Sequence, residues 1–254
     1  MIPPGLAVVT GASAGIGREF CVQLANRGHD LLVVARDPDR LTEFQRDLAE
    51  RHRVAVEPFP ADLSRESDIA RLAERIGDAA NLSVLVNNAG FGTRGTLLES
   101  DLERQAEMLR LHTMAPMRLT AAALPLLLRR KGGAVVNVSS IASFVFSAGN
   151  ANYCATKAYL TTFTESVAAE LRGTGVQAQA LCPGFTVTEF HRRMEVSARE
   201  VPRFMWMTAE SVVRRSLRSL DRGGPAICIP GVGYRILVGL LRLTPRRALG
   251  AATA

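Results

Sequence analysis

The chain has 254 residues, of which 47% are hydrophobic, and its 31 basic and 24 acidic residues leave a formal charge of +7. That length suits one α/β domain spanning 1–254, and the apolar share supplies a sizeable core and excludes wholesale disorder. The four cysteines (Cys21, Cys154, Cys182, Cys228) form no C-x-x-C pair and no cluster with histidine, which argues against a disulfide framework or a metal site and makes a reducing cytoplasm the default.

The first residues, Met1-Ile2-Pro3-Pro4-Gly5, show no secretory pattern, and an apolar run begins at Leu6. It enters Thr10-Gly11-Ala12-Ser13-Ala14-Gly15-Ile16-Gly17, after which Phe20, Val22, Leu24 and Ala25 mark an amphipathic helix. Strand, tight turn and helix N-terminus make an anion site, because unpaired N–H groups and the helix dipole face the ligand together. The glycines let a pyrophosphate approach the backbone.

Apolar runs and helical patterns then alternate. Residues 31–35, 54–59, 82–86, 134–138, 176–181 and 226–229 read as buried strands, and near-continuous hydrophobicity suits a parallel sheet covered on both faces. Helical patterns fall at 38–52, 66–78, 102–129, 153–172 and 209–222. This alternation predicts a three-layer, doubly wound Rossmann-like α/β fold, with ligands bound outside the C-terminal ends of the strands. The residues with chemistry gather there: Gly11 to Gly17, Arg36, Asp62, Asn87-Asn88-Ala89-Gly90, Ser139-Ser140 and Pro183-Gly184 each follow a strand.

Tyr153 and Lys157, four residues apart, share a helix face. An ammonium there favours the phenolate, so the pair predicts a phenol pulled below its usual value of about 10. A serine hydroxyl brought in by the fold could hold a substrate oxygen beside it.

Taken together, these motifs resemble the short-chain dehydrogenase/reductase family over roughly residues 6–231. They are Thr10-Gly11-x-x-x-Gly15-Ile16-Gly17, Asn87-Asn88-Ala89-Gly90, Ser140, Tyr153-x-x-x-Lys157 and Pro183-Gly184. The resemblance implies a mostly parallel sheet of seven strands, a bound nicotinamide dinucleotide and hydride transfer between a carbonyl and a secondary alcohol. It makes Tyr153 the general acid/base, and Lys157 the group that lowers its pKa and bonds the nicotinamide ribose. Ser140, thirteen residues before Tyr153, becomes the residue that orients the substrate oxygen, in preference to Ser139. Gly11, Ser13, Ala14, Gly15, Ile16 and Gly17 take the pyrophosphate. Asp62 and Leu63 meet adenine, Asn88, Ala89 and Gly90 pack beside the adenosine ribose, and Pro183, Gly184, Thr186 and Thr188 reach the nicotinamide carboxamide.

Cofactor choice turns on the end of strand two. An acid there bonds the ribose 2′-hydroxyl of NAD, whereas an arginine accommodates the 2′-phosphate of NADP. Arg36 occupies that place and Asp37 falls one residue late, so charge complementarity points to NADP(H). His112 stands where the family usually has asparagine, whose main-chain carbonyl holds a water in a proton relay. As a candidate catalytic residue it either keeps that carbonyl as a helix-kink residue or titrates itself.

Residues 189–208 correspond to the segment that covers the active site in relatives. Phe190, Met194, Val196, Phe204, Met205, Trp206 and Met207, set among Arg192, Arg193, Arg199 and Arg203, predict a pocket for a hydrophobic carbonyl or alcohol substrate. The tail 234–254 carries an apolar run (Ile236, Leu237, Val238, Leu240, Leu241, Leu243) flanked by Arg235, Arg242, Arg246 and Arg247. It is too short and charged to span a bilayer. It suits a subunit contact in a homodimer or homotetramer, or a substrate-pocket role; peripheral contact with an anionic membrane is the alternative. No nucleic-acid motif accompanies the basic charge. A non-catalytic NADP(H)-binding regulator is the competing reading, and the complete Ser140–Tyr153–Lys157 set argues against it.

Overall fold

The computed structural model describes residues 2–93, 95–189 and 202–244. Its strands are β1 (Leu6–Thr10), β2 (Asp30–Ala35), β3 (Val56–Pro60), β4 (Leu82–Asn87), β5 (Gly133–Val138), β6 (Val176–Leu181), β7 (Thr186–Val187), β8 (Met207–Thr208) and β9 (Ile227–Cys228). Seven of them form one parallel sheet in the order β3-β2-β1-β4-β5-β6-β9. The chain winds outward from β1 in both directions, so a crevice opens beyond the C-terminal ends of β1 and β4.

The helices are α1 (Gly15–Ala25), α2 (Pro38–His52), α3 (Glu66–Gly77), α4 (Leu102–Leu109), α5 (Ala115–Arg130), α6 (Ala151–Glu170), α7 (Ala209–Asp221) and α8 (Val232–Leu243). Six of them divide between two cores. Phe20, Leu24, Leu41, Phe44, Leu48, Val213 and Leu217 join α1, α2 and α7 to one face of the sheet. Ile69, Leu72, Ile76, Leu119, Leu127 and Val167 join α3, α5 and α6 to the other. Strands with apolar side chains on both faces can be stable only inside such a sandwich, and β1, β4 and β5 are buried along their whole length.

Three elements differ from the sequence reading. The strand expected at 54–59 begins later and is not buried: β3 pairs only with β2, and Glu57, Pro58 and Pro60 face solvent. Prolines lack the N–H of a ladder residue and suit an edge. The helix expected over 102–129 is broken by a π-turn, Arg110–Met114, in which the Ala115 N–H reaches the Arg110 carbonyl. Pro116 cannot donate to the carbonyl four residues back, that of His112, so an ordinary α-turn cannot close there. A two-stranded sheet, β7 with β8, was not foreseen and clips the two ends of the 189–208 segment together. Phe190, Arg192, Arg193, Met194, Val196, Arg199, Arg246 and Arg247 lie outside the described residues.

Candidate active site

Gly11 (φ +65°) and Gly15 (φ +55°) turn the chain from β1 into α1 through left-handed backbone that a side chain would strain. Ala14 begins α1 with no side-chain cap, whereas α2 and α4 open under the carboxylates of Asp37 and Asp101. The first N–H groups of α1 thus have no side-chain acceptor. They face a cleft of about 360 Å³ that runs along the sheet edge. Asn88 holds this turn in shape: its amide donates to the carbonyls of Thr10 (2.9 Å) and Gly11 (3.2 Å).

The cleft collects Gly11, Ser13, Ala14, Gly15, Ile16, Arg36, Asp62, Leu63, Asn88, Ala89, Gly90, Ser140, Tyr153, Lys157, Pro183, Gly184, Thr186 and Thr188 from separate strand ends. Gly17 stands behind its wall, where a Cβ would meet the Gly11 carbonyl oxygen at 2.2 Å. Phe91, Arg104, Leu111 and Glu189 also line it, and no sequence signal marks them.

At one end Arg36 stands exposed on the rim. Asp37 accepts the N–H groups of Asp39 and Arg40, both at 3.1 Å, so its carboxylate serves the cap of α2. Asp62 takes the amide (3.0 Å) and hydroxyl (2.7 Å) of Ser64. Burial works to raise the Asp62 pKa, but these bonds and the Arg36 charge outweigh it and hold the carboxyl below its usual range. α3 begins at Glu66 with Arg65 as its N-cap, so Asp62 shapes the approach and does not cap the helix.

At the other end β5 delivers adjacent serines with opposite assignments. Ser139 points inward, donating to the Lys157 carbonyl (2.9 Å) beside Thr161. Ser140 turns toward the cleft, accepts the Ala142 N–H (3.1 Å) and bonds the Tyr153 phenol. Lys157 Nζ donates to the Val138 carbonyl at 3.0 Å and lies 5.7 Å from the centre of the Tyr153 ring. The lowered phenol pKa expected from the sequence is not what this arrangement yields. Burial pushes Tyr153 up to about 12, the Ser140 bond offsetting only part of it. Burial likewise brings Lys157 down to about 8. Desolvation disfavours both charges and sets the direction of both shifts. The result is a protonated phenol beside a serine hydroxyl, able to give a proton to an oxygen placed between them.

His112 sits in the π-turn, buried and outside the cleft lining. Its Nε2 accepts the Phe91 N–H (3.2 Å), so Nδ1 carries the proton and donates to Thr156 Oγ1 (3.0 Å). Thr156 donates onward to the Tyr153 carbonyl (2.9 Å). Gly90 makes room for the ring, since a Cβ there would lie 2.7 Å from Nε2. Burial, then the Lys157 charge, lowers the imidazole pKa well below its usual value. Gly184 has a comparable neighbour in Tyr234, whose ring would collide with any Cβ. The Tyr234 hydroxyl accepts the Phe185 N–H (3.1 Å) and donates to the Met205 carbonyl (2.6 Å), tying α8 to the cleft.

The family model for short chain dehydrogenases matches residues 5–198. The chain belongs to that family. A short-chain dehydrogenase from Sphingobium yanoikuyae, solved in complex with NADPH, is 33% identical and superposes with a TM-score of 0.85 over 94% of each chain. The bulky-bulky ketone specific alcohol dehydrogenase of Comamonas testosteroni is 29% identical, with a TM-score of 0.81 over 95% of this chain and 93% of that one. A very-long-chain 3-oxoacyl-CoA reductase of Laccaria bicolor is 32% identical over 196 residues, 76% of this chain and 58% of its own. As a short-chain dehydrogenase, the protein is an oxidoreductase of the nicotinamide-dependent, carbonyl/alcohol kind.

Proposed function

We propose that this short-chain dehydrogenase interconverts a carbonyl and a secondary alcohol on a bulky apolar substrate with NADP(H). The observation that carries the reading is the protonated Tyr153 phenol, bonded by Ser140 and opening on the same cleft as the glycine turn and Arg36.

The residues fit a dinucleotide. The uncapped N-terminus of α1 and the close-packed Gly11–Gly17 turn suit a pyrophosphate. Arg36, with Asp37 engaged in its cap, suits a 2′-phosphate better than a bare 2′-hydroxyl. The Sphingobium relative's NADPH supports the same choice. When bound, the nicotinamide supplies the hydride, two electrons and a hydrogen nucleus, to the carbonyl carbon. Ser140 and Tyr153 hold the carbonyl oxygen by hydrogen bonds. Tyr153 passes its proton to that oxygen as the C–O π bond is lost, and the products are an alcohol and a phenolate. Lys157, charged below pH about 8, steadies that phenolate through the field of its ammonium. In oxidation the phenolate takes the proton back. His112, neutral and enclosed, positions the start of α6 through Thr156 and transfers no proton.

A bulky apolar substrate is supported by Trp206 packed on Phe185 (5.6 Å), next to the cleft-lining Gly184, and by exposed Phe204 two residues before Trp206. The relatives' bulky ketones and very-long-chain 3-oxoacyl thioesters point the same way. The test is a panel of ketones and secondary alcohols of graded bulk, with NADPH and NADH in parallel, read by nicotinamide absorbance. Turnover of bulky ketones with NADPH preferred supports the reading. NADPH binding with no turnover of any member would overturn it.

A further inference from the structure

The inner seam of α8 is accounted for by its packing: Tyr234 and Val238 are buried. The outer side carries a second apolar stripe. Val232, Ile236, Leu240 and Leu243 recur at i, i+4, i+8 and i+11 and share one face. They are 62%, 60%, 60% and 83% exposed among the described residues. A surface helix ordinarily turns polar side chains outward, and a contiguous exposed apolar row marks an interaction surface.

Two further observations say what covers it. The first is charge. From Arg222 to the last residue the chain has five arginines and neither aspartate nor glutamate. Arg235 and Arg242 flank the stripe on α8 itself. Pairing this face with the same face of a second copy would bring the arginines of two α8 helices toward one another, with no acid on α8 itself to compensate. An anionic phospholipid surface meets both demands: its acyl boundary takes the stripe, and its phosphates take guanidinium groups on flexible stems. The helix has 12 residues, against about 20 needed to cross a bilayer, so it lies in the surface plane.

The second observation is location. Tyr234 packs on Gly184 and bonds the Phe185 amide and the Met205 carbonyl. Arg242 lies over the Phe144 ring, 4.9 Å from its centre, in the short turn that Ser140 begins. Phe204, next to Met205, is 87% exposed. These contacts place α8 near the end of the cleft where Ser140 and Tyr153 meet, with the stripe on the helix's outer side.

We propose that α8 docks the protein onto an anionic phospholipid surface, with the Tyr153 end of the cleft toward the bilayer. A lipid-dissolved ketone would then reach the site without crossing water; that consequence rests on the reductase reading above, whereas the docking does not.

The test uses the full chain with vesicles of phosphatidylcholine, alone or containing phosphatidylglycerol. Co-sedimentation should favour the anionic vesicles by about tenfold or more and fall as salt is added. The double variant Ile236→Glu/Leu240→Glu should lose about tenfold of that binding. Its reduction of a water-soluble ketone should be unchanged, since neither residue lines the cleft. Equal binding by the two proteins, or none by the parent chain, would overturn the proposal. So would a parent dimer in sedimentation velocity that the double variant splits, because the cover would then be a second copy. Vesicle binding without ketone turnover would sink the reductase reading and leave the docking standing.

Discussion

Arg36 stands in water at one end of the cleft, while Lys157 and His112 stand enclosed at the other with the Tyr153 phenol between them and the substrate space. The exposed end works by charge. Its field is screened over a Debye length of about 8 Å at physiological salt, so it chooses a ligand without fixing it rigidly. The enclosed end works by desolvation. Burial moves Tyr153 and Lys157 in opposite directions, leaving a group that keeps its proton until an acceptor arrives. One end selects, the other sets protonation, and substitutions at the two should therefore fail differently.

The largest effect belongs to the enclosed end. Tyr153→Phe removes the phenolic hydroxyl that would exchange the proton while leaving ring packing intact, so kcat on an established ketone should fall by about a thousandfold. Cofactor affinity should change little. Near-normal turnover in this variant would mean that the proton comes from elsewhere.

Lys157→Met comes next and is read by stability rather than rate. The folded Lys157 releases its proton near pH 8 and the unfolded lysine near its usual value. Between those values the unfolded chain binds more protons, so wild-type stability rises with pH. Below that window the buried ammonium costs on the order of 3 kcal/mol. The variant should therefore be the more stable protein near pH 7, its advantage shrinking as pH climbs through 8 toward 10. Denaturant melts at a series of pH values measure it. A constant difference would show that Lys157 is not held in a desolvating site.

Much of this was legible in the sequence because it depends on local pattern. Continuous apolar runs fixed the strands, and Gly11, Gly15 and Gly17 could be read because left-handed backbone and close approach have few other solutions. What could not be read depends on long-range placement. The phenol's upward shift needs the amount of wall around Tyr153, which no spacing reveals. Tyr234 contacts Gly184 from fifty residues away. β3 looked buried because its apolar residues are counted the same at an edge as at a centre. The 102–129 pattern stays helical in periodicity across a π-turn that shifts it by one residue.

At the exposed end, Arg36→Asp should lower the preference for NADPH over NADH by about tenfold to a hundredfold, the worth of one or two charge-assisted hydrogen bonds. Added salt should raise the NADPH KM of the parent enzyme and leave that of the variant nearly flat. An unchanged preference would move cofactor choice away from Arg36.

His112 separates the two principles most finely, being enclosed yet inert in this reading. Its ring spans from the Phe91 amide to the Thr156 hydroxyl, a distance that asparagine's shorter side chain cannot cover. His112→Asn should therefore lose one of those bonds and open a small gap beside Gly90, costing about 1–3 kcal/mol of stability. The imidazole is already neutral near physiological pH, so no proton disappears with it. Turnover should stay within about threefold of the parent, with superimposable pH profiles between about pH 6 and 9. A collapse of kcat with a displaced optimum would put the imidazole in the proton path and make the enclosed end a titrating relay instead of a fixed frame.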